Sequence, residues 1–77
     1  MQTETYNGWK NRTTWALNLW LNNDYDVYNH ARIAAQNDRL EKFVRDEWAF
    51  FPTIMRTDVG ADLSMIDWEA ITAGFCE

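Results

Sequence analysis

A chain of 77 residues suffices for one small domain, and its 47% hydrophobic residues, with five Trp, allow a core without metal or disulfide. The net charge of −5 comes from residues 46–77, which carry −6, whereas residues 1–45 carry +1. This balance disfavours direct binding to DNA, to RNA or to an anionic membrane, because like charges repel, and it favours a basic partner.

The first predicted helix spans residues 12–22 and begins after a polar cap at Asn11 or Thr13. At 100° per residue, its apolar side chains cover about two-thirds of the circumference. Asn18 and Asn22 form the narrow polar stripe that remains. A helix with so much apolar surface is predicted to lie at the centre, with the other helices packed around it.

The second predicted helix spans residues 24–36 and is capped by Asn23 or Asp24. Five residues share its apolar face, namely Val27, Tyr28, Ala31, Ala34 and Ala35. Ile33 lies on the opposite, polar side, and a single exposed isoleucine is common on soluble domains. We therefore interpret Ile33 as a surface residue.

The third predicted helix spans residues 38–51, with Asn37 or Asp38 as its cap, and stops before Pro52, which cannot continue a helix. Its apolar residues are Leu40, Phe43, Val44, Trp48 and Phe51. Opposite charges four residues apart occupy its outer face, in the pairs Asp38–Lys42, Glu41–Arg45 and Lys42–Asp46. This pattern is typical of an ordinary solvated helix face.

A loop is predicted over residues 52–57, followed by a short turn over residues 58–63. Ser64 is the predicted cap of a last helix over residues 65–73, and Gly74 fits the position just beyond its end. The predicted fold is all-α and forms a single domain. It is a compact bundle of about four helices, near 12–22, 24–36, 38–51 and 65–73, around a central, Trp-rich first helix.

Catalysis requires functional groups that converge, and few are available. His30 and Cys76 are the only residues of their types, are distant in sequence, and have no third group to orient them. The three glycines are scattered, so no phosphate-binding loop is indicated. We therefore expect no catalytic residues, no cofactor and no enzymatic activity.

A calcium site is also rejected. The stretch that starts at Asp24 begins like a calcium-binding loop, but its sixth and twelfth positions are Asn29 and Ala35 instead of Gly and Glu. No other pattern indicates a metal. The lone cysteine favours a reducing compartment, and the longest apolar stretch, Trp15–Leu21, is far shorter than the ~20 residues that span a bilayer. The expected location is the cytoplasm.

The candidate binding residues are the acidic side chains of the second half and one tryptophan. The acidic candidates are Asp46, Glu47, Asp58, Asp62, Asp67 and Glu69. They either contact a basic partner or keep the domain soluble. Trp9, which precedes the first helix, either folds back as an aromatic lid or is exposed as an anchor for a partner. Trp15, Trp20, Trp48 and Trp68 fall on apolar faces and are predicted in the core.

Two motifs stand near the ends of the domain. The pattern N-x-x-T-W-x-x-x-L-W-x-x-N-D is matched at Asn11, Thr14, Trp15, Leu19, Trp20, Asn23 and Asp24. The pattern V/I-D-W-x-x-I is matched at Ile66, Asp67, Trp68 and Ile71. In both segments the chain resembles a family of small uncharacterised proteins from phages, plasmids and other mobile elements. The resemblance implies such an origin but no particular activity, and the motif residues are also suited to capping and packing.

These observations lead to two hypotheses about function. The first is a small phage-type protein that binds and modulates or inhibits a host protein with a basic surface, in the host cytoplasm. Its sharpest version is a DNA mimic, in which carboxylates occupy the basic groove of a defence nuclease or another nucleic-acid enzyme. The second is a self-associating structural or accessory protein, such as a homodimer, because small domains often gain stability from oligomerisation.

Overall fold

The computed structural model describes residues 8–60 and 62–76, and its regular elements there are all helical. The five α-helices are α1 (Arg12–Asn23), α2 (Tyr25–Gln36), α3 (Leu40–Glu47), α4 (Thr53–Val59) and α5 (Trp68–Phe75). Two 3-10 turns, Trp48–Phe50 and Leu63–Met65, precede α4 and α5. The all-α prediction is confirmed, with five helices in these residues where about four were expected.

Helix α1 lies at the centre of this arrangement. It packs against α2, α4, α5 and the turn Leu63–Met65. Ala16, Leu17 and Leu21 are fully buried on its inner side. The prediction of a central first helix agrees with these contacts, although Leu19, on the predicted apolar surface, is 40% exposed.

The innermost side chains are aliphatic, and the tryptophans surround them. The fully buried residues include Ala31, Val44 and Ile71 together with those of α1. The tryptophans Trp9, Trp15, Trp20, Trp48 and Trp68 are partly buried and pack against this core. The expectation that four of them lie inside the core was therefore too strong. An indole N–H needs a polar partner, which favours the margin of a small core over its centre.

The beginnings of α1 and α2 are set by local caps, as the sequence predicts. The Oδ1 atom of Asn11 accepts a hydrogen bond of 2.8 Å from the backbone N–H of Thr14. Asp24 accepts from the N–H groups of Asp26 and Val27, at 2.9 and 3.2 Å. Because these bonds satisfy backbone donors that have no partner inside the helix, each cap defines where its helix starts.

The turn between α2 and α3 corrects the predicted start of the third helix. Asp38 is not a cap but has a left-handed backbone, with φ of 60°. The Arg39 N–H binds the Ala34 carbonyl at 2.7 Å, and the Asp38 N–H binds the Ala35 carbonyl at 3.1 Å. This pair of bonds is a Schellman motif, which ends α2. Helix α3 therefore begins at Leu40, after Arg39, which makes no side-chain cap.

The region around Pro52 corrects two further predictions. Helix α3 ends at Glu47 and gives way to the turn Trp48–Phe50, because Phe51 is extended, as the residue before a proline usually is. Residues 53–57 of the predicted loop belong to α4 instead, directly after Pro52. Proline is tolerated at the start of a helix, where its missing N–H would have no partner, and Met55 and Val59 bury one side of α4.

The last helix begins later than predicted and includes the glycine that was expected to end it. Ser64 belongs to the turn Leu63–Met65, where it hydrogen-bonds to Asp62. Asp67 is the cap of α5, since its Oδ1 accepts from the Ala70 N–H at 3.2 Å. Gly74 lies within α5, which spans Trp68–Phe75. The helix continues one residue past Gly74 to Phe75, whose side chain is buried.

Candidate functional site

The polar motif residues at the start of α1 bind the C-terminal part of the chain. The amide of Asn11 donates to the Met65 carbonyl at 2.7 Å. The hydroxyl of Thr14 is fully buried and accepts from the Asp67 N–H at 2.9 Å. These bonds join residues more than 50 positions apart, so this part of the motif holds the fold together.

Asp58 of α4 connects to α1 through two side chains. One carboxylate oxygen accepts from Nη2 of Arg12 at 2.7 Å, and the other accepts from Nε1 of Trp20 at 2.9 Å. Nη1 of Arg12 also donates to the Asp58 carbonyl at 2.9 Å. The hydrogen bonds from Arg12 and then Trp20 lower the pKa of Asp58, and they outweigh the opposing effect of burial.

The six acidic candidates have different surroundings. Asp58 pairs with Arg12, whereas Asp62 and Asp67 accept backbone hydrogen bonds at the turn before α5 and at its cap. Asp46 pairs with Lys42 at 2.6 Å on the exposed side of α3. Glu47 and Glu69 are exposed on α3 and α5. Asp58, Asp62 and Asp67 thus make structural contacts that a charge reversal would break.

A groove of about 490 Å³ lies between α3 and α5, and we call it the acidic groove. Its lining residues are Asp38, Leu40, Glu41, Trp68, Glu69, Thr72, Ala73 and Cys76. Three of these carry carboxylates and none is basic. Trp68 is partly buried and gives the groove one aromatic side.

Local structure explains how the carboxylates reach the acidic groove. Asp38 stands on the left-handed turn that ends α2, so its side chain projects beside the beginning of α3. Glu41 and Glu69 occupy the first turns of α3 and α5, where a carboxylate is favoured by the positive end of the helix dipole. The contact between α3 and α5 brings the three residues to one groove.

Only Glu69 of the six acidic candidates lines the acidic groove. Sequence reasoning missed Asp38 and Glu41, because their i,i+4 spacing to bases was interpreted as an ordinary solvated face. The Glu41–Arg45 pair does form, at 2.8 Å. The spacing of charges along α3 predicts the Glu41–Arg45 pair, but it does not show that α5 packs beside it. The groove between the two helices therefore could not be predicted from the periodicity of α3.

Arg45 lies at the edge of the acidic groove. Its Nε donates to Oε2 of Glu41, and its guanidinium carbon lies 5.9 Å from the centre of the Trp68 ring. A cation over an aromatic face is attracted by the negative charge of the ring face. Arg45 therefore contacts both the carboxylate side and the aromatic side of the site.

A second groove, of about 580 Å³, lies on the other side of α3, against α2. Ile33, which is 52% exposed, lines it together with Phe43, and the His30 ring stacks on Phe43 with centroids 6.4 Å apart. Two bases, Arg39 and Lys42, also line it, with one acid, Asp46. Ile33 is therefore not an isolated surface residue, and the two sides of α3 differ in charge.

Trp9 packs against the core and is partly buried. It lines a recess of about 250 Å³ together with Asn18, Asn22, Tyr28, Gly74 and Phe75. The two asparagines are the polar stripe of α1. This placement brings Trp9 beside aromatic residues of α2 and α5.

The described residues contain no group of three or more His, Cys, Asp or Glu that could hold a metal ion. None of the five described helices is long and apolar enough to cross a membrane.

Comparison with known proteins places the chain in a family. Residues 2–71 match the family of unknown function DUF7249, and the chain belongs to this family. No curated protein and no solved structure matches it.

Proposed function

We propose that this protein acts by binding a partner protein with a basic surface, through the acidic groove between α3 and α5. One observation carries the proposal: Asp38, Glu41 and Glu69 line the groove around Trp68, and their three charges outnumber that of Arg45 at its edge. Complementary charge promotes association and selects the partner, and a tryptophan at the centre of an interface often contributes much of the affinity.

The finer version of this proposal concerns the partner's identity. The motifs of α1 and α5 resemble those of mobile-element proteins, which supports a phage-type protein that acts in the cytoplasm of its host. There it binds and modulates or inhibits a host protein without catalysing a reaction. A defence nuclease, or another nucleic-acid enzyme with a basic groove for phosphates, fits a net charge of −5. The carboxylates would then mimic DNA.

The proposal is tested by neutralising the acidic groove and measuring capture of the partner. Asp38→Asn and Glu69→Gln together remove two carboxylates, and asparagine tolerates the left-handed backbone at position 38. We expect the tagged double variant to lose a stoichiometric partner that the original chain captures from nuclease-treated host lysate, as measured by quantitative mass spectrometry. Release of that partner by added duplex DNA supports mimicry.

A matched control removes two carboxylates elsewhere. Asp26 and Glu47 are exposed and do not line the acidic groove, so Asp26→Asn with Glu47→Gln gives the same net charge. The control should retain the partner. Equal loss in both double variants would show that the partner binds a diffuse acidic surface and not the groove. Unchanged capture by the groove variant, with its fold verified by circular dichroism, contradicts the proposal.

A second candidate function is self-association, and one observation favours it. Phe50 and Ile54, on either side of the corner that leads into α4, are 81% and 68% exposed. Large apolar side chains exposed this far are typical of interaction surfaces. In this reading the protein is a dimerising structural or accessory factor.

A further inference from the structure

An arginine side chain of the protein itself lies at the edge of the acidic groove. Arg45 pairs with Glu41 at 2.8 Å, and its guanidinium carbon lies 5.9 Å from the centre of the Trp68 ring. A planar guanidinium can pair with a carboxylate and lie over an aromatic ring at the same time, whereas the compact ammonium of lysine is more strongly hydrated. The combination of Glu41 and Trp68 is therefore chemically suited to arginine.

This internal arrangement is weakly held. The side chains of Arg45 and Glu41 are 47% and 48% exposed, so water screens their attraction. An exposed pair four residues apart on a helix and an exposed cation–π contact together favour the closed arrangement by no more than about ten-fold. Arg45 can therefore leave Trp68 at little cost.

The other two carboxylates of the groove are available to a partner. In the described part of the chain, neither Asp38 nor Glu69 forms an ion pair. A cation that replaces Arg45 at Glu41 can also be attracted by these two carboxylates. Asp38 and Glu69, which form no ion pair with Arg45, thus add attraction for an external cation.

We propose that the acidic groove recognises an arginine side chain of a segment of the partner protein, and that Arg45 occupies this position until the partner displaces it. The inference rests on the proposed function, because it assigns the partner's chemistry and an autoinhibitory contact to the same groove. The incoming guanidinium lies over Trp68 and pairs with Glu41, while Glu69 and Asp38 attract neighbouring positive charge.

The test compares two peptides of equal charge, terminally blocked hexa-arginine and hexa-lysine, in calorimetric titrations of the full chain. Non-specific attraction to an acidic protein is common to both, so the ratio of their affinities isolates guanidinium recognition. We expect hexa-arginine to bind at least about three-fold more tightly, and to shift the Trp68 indole signal in NMR spectra. Removing the internal competitor with Arg45→Ala should raise the affinity for hexa-arginine by about three- to ten-fold.

Lys42→Ala is the matched control for Arg45→Ala. It removes one positive charge from the same helix, and Lys42 lines a neighbouring recess with Asp38 and Glu41, but it pairs with Asp46 and not with Glu41. We expect it to change the affinity for hexa-arginine by less than about two-fold, since it removes an exposed, screened charge without vacating the position over Trp68.

Each other outcome has a distinct meaning. Equal affinity for the two peptides, or equal effects of the two substitutions, overturns the arginine inference but leaves an acidic docking groove in place. If neither peptide binds, both this inference and the use of the groove in the proposed function are overturned.

Discussion

At the scale of single residues, the chain's carboxylates divide into structural and available ones. The Asp58 carboxylate binds Arg12 and Trp20 of α1, and the Asp67 carboxylate caps α5. Asp38 and Glu69 instead line a groove that is open to solvent. An acidic residue in the sequence is therefore not equivalent to an acidic surface. The distinction matters for mutagenesis, because replacing a structural carboxylate weakens the fold as well as any interaction.

Asp58 yields a prediction about stability and pH. Because its pKa is lower in the folded state, its stabilising effect is present above the unfolded-state pKa of about 3.9 and is lost as the pH falls through the folded-state value. Asp58→Asn should lower the free energy of unfolding by about 1 kcal/mol at neutral pH, a modest value since the carboxylate side chain is 35% exposed. Urea denaturation measures the difference.

The difference between Asp58→Asn and the original chain should shrink as the pH falls below the unfolded-state pKa, because the carboxyl group becomes protonated. Asp46→Asn serves as the control, since it breaks an exposed pair within α3 and should cost only about 0.2–0.5 kcal/mol. A difference at position 58 that persists unchanged at low pH would show that shape, and not charge, explains the effect.

At the scale of secondary structure elements, helix ends were harder to predict than helix faces. Asn11 and Asp24 act as caps, as the sequence predicts, because a cap depends on a side chain and the N–H groups two or three residues later. Asp38 is of a residue type that often caps the start of a helix, but here it lies in the left-handed turn that ends α2. Ser64 and Asp67 are both suitable caps for α5. Asp67 is the cap observed, and the bond from its backbone N–H to the Thr14 hydroxyl supports this position.

The left-handed turn at Asp38 predicts an unusual order of stabilities. A left-handed backbone strains any residue with a Cβ atom, so Asp38→Gly should be more stable than Asp38→Ala by about 1 kcal/mol in urea denaturation. At Glu41, within the first turn of α3, the order should reverse, since alanine is favoured over glycine in helices by up to about 1 kcal/mol. An alanine at position 38 that is at least as stable as glycine would contradict the left-handed turn of the Schellman motif.

At the scale of the whole molecule, the chain arranges two different surfaces on the sides of one helix. The acidic groove lies between α3 and α5, and the groove against α2 contains Ile33, Phe43, two bases and one acid. The amino-acid composition reports only a net charge of −5 and does not show this separation. The proposed function depends on it, because a partner recognises local charge.

Self-association is also decided at this scale. If the exposed apolar corner is an interface between copies, sedimentation velocity should show a concentration-dependent dimer that Phe50→Ser with Ile54→Ser removes. The control, Tyr25→Ser with Ile33→Ser, replaces two other exposed apolar side chains and should leave the dimer intact. A monomer at all concentrations excludes this candidate, and the acidic groove then remains as the proposed interaction surface.

The sequence alone determined the helical class and the central position of α1, and it limited the first two caps to Asn11 or Thr13 and to Asn23 or Asp24. These features follow from spacings of two to four residues, where the physics of the helix is local. The tertiary structure decided which carboxylates are available. Asp58 is held by Arg12, 46 positions away, and Glu41 of α3 meets Trp68 and Glu69 of α5 in one groove. No local sequence pattern predicts these contacts between distant residues, because they form only when apolar faces pack and bring the helices together.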